Sequence, residues 1–202
     1  MPTADFDAII IAGGRATRLG GIDKTALVFN GRTLLQCALD AVRKAQHVAV
    51  VGFGIELEPA AGISQTAEEP RWSGPAAALA AGAHDLRASC ASHVVVIAAD
   101  LPRVSEAVAL LLAANSDDDN FDGVVAVDSA GRRQHLLAVY RAPALRQAVA
   151  AAGSLTDAAM RSITGELRLR ELLIPDELCA DVDTPFDAVR NGIELRAPAL
   201  AG

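Results

Sequence analysis

Apolar residues along the chain fall into short continuous runs that alternate with segments whose apolar positions recur every three or four residues. Ala8-Ile9-Ile10-Ile11-Ala12 is uninterrupted and is closed by Gly13-Gly14, the pattern of a central strand covered on both faces. Thr33 to Ala45 then places Leu34, Leu35, Ala38, Leu39 and Val42 at helical spacing, and His47 to Phe53 predicts the next strand. Val94 to Ala99 is the strongest buried-strand signal. It stops at Asp100-Leu101-Pro102, because Pro102 cannot continue a central ladder, so Asp100 is placed at the strand's C-terminal end.

Further on, Ser105 to Ala114 predicts a helix, Gly123 to Val127 and Leu136 to Tyr140 predict strands, and Ala142 to Ala152 predicts an alanine-rich helix. Ser154-Leu155-Thr156-Asp157 reads as a capping box opening another helix, with Asp where Glu is usual. Leu167 to Leu173 predicts a last strand, and Pro185 suits the first turn of a final helix. Strands alternating with helices are the mark of βαβ units and an α/β fold with a parallel sheet. No repeat or linker divides the chain, so residues 1–202 are expected to form one domain. Asp117-Asp118-Asp119-Asn120 and the tail after Arg196 are the candidates for disorder.

Composition narrows the function. Hydrophobic residues make up 51% of the 202 residues, which predicts a packed core, and the net charge of −7 argues against a broad basic surface for nucleic acid or anionic lipid. The longest stretch free of Asp, Glu, Lys and Arg, Trp72 to His84, is too short for a membrane span, which needs about 20 residues. The N-terminal residues before the first apolar run carry two acids and no base, unlike a secretory signal, so a cytoplasmic protein is expected. Cys37, Cys90 and Cys179 lie far apart and predict buried thiols rather than disulfides or a zinc site. His47, His84 and His93 show no metal-ligand spacing.

Against that acidic background, Ala12 to Lys24 gathers Gly13, Gly14, Gly20 and Gly21 with Arg15, Arg18 and Lys24, directly after the first strand. Backbone amides freed by glycine beside cations are what a phosphate cradle requires. The Walker pattern fails because Asp23, not glycine, precedes Lys24-Thr25. The dinucleotide fingerprint fails because Gly13 and Gly14 are adjacent and Ala16 stands two residues beyond Gly14.

What the run resembles is the signature loop of the sugar- and cofactor-nucleotidyltransferases, in the A-G-G-x-x-x-R-[LM]-G-G-x-D-K form of the molybdenum cofactor guanylyltransferases. Glu68-Glu69-Pro70 with Ser73-Gly74-Pro75-Ala76-Ala77-Ala78-Leu79 resembles that family's acidic residue and G-P-L-A-G segment, with Glu69 in place of the usual Asp and Ala76-Ala77-Ala78 in place of L-A-G. Asp100-Leu101-Pro102 resembles its D-x-P element, and Asp181-Val182-Asp183-Thr184-Pro185 its late [ND]-x-[ND]-T-P motif. These matches run in order from residue 9 to residue 189.

The resemblance implies a three-layer α/β/α Rossmann-like fold, mostly parallel with an antiparallel strand, and transfer of GMP from GTP to the terminal phosphate of molybdopterin with release of pyrophosphate. It implies Mg²⁺ held by Asp100 and Asp183. It also implies a nucleotide site of Ile11, Ala12, Gly13, Gly14, Lys24, Glu69, Gly74 and Asp100, with Arg18 and Lys24 as the catalytic cations. GTP and the molybdopterin-type cofactor are the partners implied, with transient contacts to molybdoenzyme maturation proteins and none to nucleic acid or membrane.

Several readings stay open on the residues alone. Asp100 and Asp183 could each cap the helix that follows. Trp72 could line a base pocket or cover core, and His135, in a strand region, is left outside the catalytic set. A cytidylyltransferase or another phospho-acceptor enzyme of the same superfamily is the nearest alternative, and a GTP-binding maturation protein without turnover is the alternative from another class.

Overall fold

A computed structural model describes residues 5–13, 24–55, 57–115 and 120–193. The loop residues Gly14, Arg15 and Arg18, the acidic residues 117–119 and the tail after Arg196 lie outside that set.

Strand β1 (Phe6–Ile11) is buried along its whole length, as its unbroken apolar run requires. A short 3₁₀ turn follows at Lys24–Ala26, then the two-residue strands β2 (Val28–Phe29) and β3 (Arg32–Thr33). Asn30 and Gly31 between them both have positive φ, the conformation that suits a tight hairpin turn. Helix α1 (Leu34–Ala41) is opened by a capping box between Thr33 and Gln36. It ends four residues short of the predicted Ala45. Strand β4 (Val48–Val51) and strand β5 (Ile63–Thr66) follow, then α2 (Pro75–Asp85), β6 (His93–Ala98) and α3 (Val104–Ala114). The remainder runs β7 (Gly123–Val127), β8 (Arg133–Arg141), α4 (Ala142–Ala151), α5 (Arg161–Thr164), β9 (Leu169–Leu173), α6 (Asp176–Cys179) and α7 (Pro185–Arg190).

Seven strands form one sheet in the order β5-β4-β1-β6-β8-β7-β9. Strand β8 runs antiparallel to both β6 and β7, and the other pairs are parallel, as the family resemblance implies. Alternation along β1 divides the core. Ala8 and Ile10 point to one side with Leu35, Ala38, Val104 and Leu111 of α1 and α3. Ile9 and Ile11 point to the other with Leu79, Leu145 and Ile163 of α2, α4 and α5. Helices therefore cover both faces and the three layers are present. Among the described residues no helix is long and apolar enough to cross a membrane.

The helix predicted to open at Ser154-Leu155-Thr156-Asp157 does not form there. Asp157 adopts a left-handed backbone, and its N–H donates to the Ser73 carbonyl at 2.8 Å, so the segment is spent on packing against another loop. The helix begins instead at Arg161.

Two glycines allow close packing around β1. A Cβ on Gly82 in α2 would stand 2.6 Å from Ile9 Cγ2, so glycine lets this helix lie close on β1. A Cβ on Gly52 would fall 3.0 Å from the Ala12 backbone, where the ends of β4 and β1 draw together.

Candidate active site

The parallel strands β1 and β6 end side by side, joined by the Ala99 N–H donating to Ile11 O at 2.9 Å. Open α/β sheets bind ligands beyond such C-terminal ends, and here the polar chemistry collects. Lys24, on the 3₁₀ turn, sends its ammonium to Asp100 Oδ2 at 3.2 Å and also to Asp183 Oδ1. The segment carrying Asp183 is held by the Val182 N–H, which donates to Asp100 O at 3.2 Å. Asp100, Asp181 and Asp183 each offer an oxygen, and these lie within 4.8 Å of one another.

Neither Asp100 nor Asp183 is spent on capping. Thr184 caps α7, in a reciprocal box with Asp187, and Arg103 holds the cap position of α3 without a side-chain bond. Among the described residues three carboxylates gather around the Lys24 ammonium. Asp181 is pushed above the ordinary aspartate range, first by lost solvation and then by the charges of Asp100 and Asp183. For Lys24, burial pulls the pKa down, but the bonds and charges of Asp183 and Asp100 outweigh it and the net shift is upward. Hard carboxylate oxygens at this mutual distance are the donor type that Mg²⁺ takes.

Beside the cluster lies a cavity of about 480 Å³. Its walls are mainly apolar, from Ile11, Pro75, Ala78, Leu101, Leu136, Leu137 and Met160, with Glu68, Gln134, His135, Asp100 and Asp181 as polar points. A smaller hollow adjoins it, lined by Ala12, Gly13, Lys24 and Asp100. Of the residues expected from sequence, Ile11, Gly13, Gly74 and Asp100 line the large cavity, and Ala12 and Lys24 line the small one. Gly14 and Arg18 fall outside the described residues. Gly74 has φ 92° at the N-terminus of α2, a conformation that favours glycine, and Pro75 occupies the first helical turn.

Glu69 is exposed and lines neither cavity; its neighbour Glu68 is 6% exposed and turned inward. Glu68 Oε1 accepts from the Trp72 N–H at 3.2 Å, and Oε2 is buried with no partner among the described residues. A buried carboxylate oxygen without a donor is costly in an empty protein and suits a ligand that brings one. The bond to Oε1 also braces Trp72, whose φ of 66° is a strained conformation for a bulky residue. Trp72 lines the cavity and packs on Phe53 with ring centres 5.4 Å apart, and Arg71 lies over the other ring's face at 4.6 Å.

On the far wall, His135 Nδ1 lies 3.0 Å from Thr164 Oγ1, and the Tyr140 hydroxyl donates to His135 O at 2.9 Å. Burial, helped by the charge of Arg133, holds this imidazole below its ordinary pKa. Cys179 also lines the cavity, its thiol raised to about 11 by burial and by the charges of Asp128 and Asp176, which makes it a poor nucleophile. Sequence reasoning missed Glu68, Asp181 and His135 as site residues. Only the acid pair and the D-x-D spacing pointed toward the first two.

Residues 8–171 match the model of the MobA-like NTP transferase domain. A molybdenum cofactor guanylyltransferase of Acidiphilium cryptum is 31% identical over 138 residues, 66% of this chain and 65% of that protein. One from Polynucleobacter asymbioticus is 30% identical over 125 residues, 60% of this chain and 61% of that protein. The chain thus spans about half to two thirds of the length of such relatives. Among solved structures, Rv0371c of Mycobacterium tuberculosis H37Rv superposes with a TM-score of 0.68 at 20% identity, covering 92% of this chain and 96% of that one, a likeness of fold.

Proposed function

Since the chain belongs to the MobA-like NTP transferase family and is a nucleotidyltransferase, we propose that it transfers GMP from GTP to the terminal phosphate of molybdopterin, with Mg²⁺ and release of pyrophosphate. The observation that carries this reading is the meeting of Lys24, Asp100, Asp181 and Asp183 at the lip of an apolar cavity that holds one unpaired carboxylate oxygen. The cavity is large enough for a planar ring system, and the acidic lip suits a cation that brings phosphate with it.

The acceptor phosphate is an ionised nucleophile at neutral pH, so the protein needs no general base. Its work is positioning and charge neutralisation. Gly13, with Gly14, presents backbone N–H groups to the triphosphate, and Lys24, with Arg18, neutralises charge that develops on the α-phosphate and the leaving pyrophosphate. Asp100 and Asp183 are the residues that would hold Mg²⁺, which would supply positive charge to the phosphate oxygens. Lys24 is already paired with both carboxylates, so it is held at the point where phosphate charge arrives.

Glu68, rather than the exposed Glu69, reads the base. A carboxylate oxygen accepts from the N1–H and the exocyclic amine of guanine, whereas adenine offers no such donor pair. Gly74-Pro75 and Trp72 bound the same part of the cavity. We take residues 1–202 as one catalytic domain and place the reaction in the cytoplasm, with transient hand-over to molybdoenzyme maturation proteins.

The test is pyrophosphate release from GTP, CTP, ATP and UTP with Mg²⁺ and molybdopterin, beside an Asp100→Ala variant. Release from GTP alone, dependent on the acceptor and lost in the variant, is expected. Preference for CTP would overturn the base assignment, and silence with all four would overturn the reaction.

A further inference from the structure

The far wall of the cavity contains a hydrogen-bonding group with no part in the chemistry above. Thr164 is fully buried, and its hydroxyl lies 3.1 Å from the carbonyl of Met160, four residues earlier. That is the back-bond threonine commonly makes in a helix, and a carbonyl can only accept, so the hydroxyl proton points at Met160 O. Thr164 Oγ1 must then accept from its other neighbour, His135 Nδ1 at 3.0 Å. The imidazole carries its proton on Nδ1, and its burial favours the neutral ring. Nε2 is left as a fixed acceptor on a ring that lines the cavity.

Position decides which substrate this acceptor serves. Glu68, Trp72 and Gly74 lie in the segment between β5 and α2, and α2 packs on β1 and β4. His135 stands on β8, across β6 from β1. In that ladder Ile97 pairs with Leu137, so His135 lies beyond the C-terminal end of β6, on the edge of the sheet where Asp100 follows that strand. In strand order, β1 and β6 stand between β5, which the Glu68 segment follows, and β8, which carries His135.

We propose that His135 is a specificity-determining residue for the acceptor substrate: its Nε2 accepts a hydrogen bond from a ring N–H or amino group of a flat heteroaromatic acceptor phosphate, and Thr164 is the positioning residue that fixes its tautomer. The proposal rests on the transfer reaction proposed above, with Glu68 on the nucleotide side. It adds that the acceptor end selects its ring by N–H donors, beyond size and flatness.

The test compares two phosphate esters by calorimetry, with Mg²⁺ and α,β-methylene-GTP present so that no turnover is needed. One is 6-hydroxymethylpterin monophosphate, whose ring carries N–H donors; the other is 1-naphthyl phosphate, flat and without them. Wild type should bind the pterin ester about tenfold more tightly, the worth of one well-placed hydrogen bond. His135→Phe should reduce that preference to less than about twofold, His135→Gln should keep part of it through its amide oxygen, and Thr164→Val should lose part of it with His135 intact. Affinity for the GTP analogue should stay within about twofold throughout.

A preference that survives in both His135→Phe and Thr164→Val overturns the proposal, as does a wild-type protein with no preference. A parallel loss of GTP-analogue affinity in His135→Gln would also overturn it, by assigning the histidine to the nucleotide. Failure of the transfer reaction appears separately, as absence of pyrophosphate release with these ring preferences intact.

Discussion

Two groups of aspartates sit on the same edge of the sheet and are treated in opposite ways. Asp128, in the turn between β7 and β8, is 3% exposed and saturated with donors. Its Oδ1 accepts from the N–H groups of Ala130 and Arg132 at 3.1 and 2.9 Å, and its Oδ2 from Arg132 Nε and Gln134 Nε2 at 2.8 and 3.1 Å. Its pKa falls, chiefly through the Arg132 backbone N–H, which with the Arg132 side chain overcomes desolvation. Asp100, Asp181 and Asp183 gather beside the Lys24 ammonium, and Asp181 shifts the other way. Equal residue types thus divide by surroundings, one amid donors and the others amid like charge. The turn gives both oxygens of Asp128 their donors, whereas the cluster crowds three carboxylates together and raises the pKa of Asp181, the kind of perturbed group that marks a candidate ligand site.

The sharpest way to break that contrast is to remove the lysine of the cluster. Lys24→Ala should lower turnover in pyrophosphate release by roughly 10²–10³, as loss of one preorganised charge-stabilising donor does, with the fold retained in thermal melts. A loss below about threefold would take Lys24 out of its catalytic role.

A second substitution asks whether the unfinished acceptor at Glu68 belongs with the cluster. Glu68→Gln should lower discrimination of GTP over ATP in kcat/KM by about tenfold or more, and Glu69→Gln should change it by less than about twofold. The reverse order would return base reading to Glu69.

The smallest effects are in stability. The folded state raises the Asp181 pKa above the ordinary 3.8, so folded protein binds more protons than unfolded in that window and loses stability as pH rises through it. Asp181→Asn should therefore raise Tm by about 1–2 °C at pH 7.5, with the gain fading as pH falls toward 4. Asp128 has the opposite sign: its lowered pKa favours the fold above the unfolded value and is lost on acidification. Asp128→Asn should lower Tm at pH 7.5. Equal shifts in one direction for both variants would erase the distinction drawn here.

The division also explains what could be read from sequence. Continuous apolar runs sufficed for β1 and β6 because both are buried on both faces, and Pro102 marked where β6 stops. Lys24, Asp100 and Asp183 were legible because short motifs carry them at strand ends and turns. Strand β5 was not, since Ile63-Ser64-Gln65-Thr66 is an edge strand with one strongly apolar residue and takes its shape from pairing with β4. The Asn30-Gly31 turn carries a local hairpin signal. Glu68 and Glu69 differ only in which one the chain turns inward ahead of the Trp72 bend. His135 acquires its acceptor from Thr164, 29 residues away, a contact that no local pattern encodes.

Trp72, braced by Glu68 and packed at a tilt on Phe53, is the chain's single tryptophan, and its one tyrosine, Tyr140, is fully buried. The protein therefore carries one indole fluorophore, placed on the wall of the cavity itself. Its emission responds to whatever fills that space, without the background that tryptophans elsewhere in a fold would add. Occupancy of the site can be followed in real time, on unlabelled enzyme, by the colour and intensity of light from one residue.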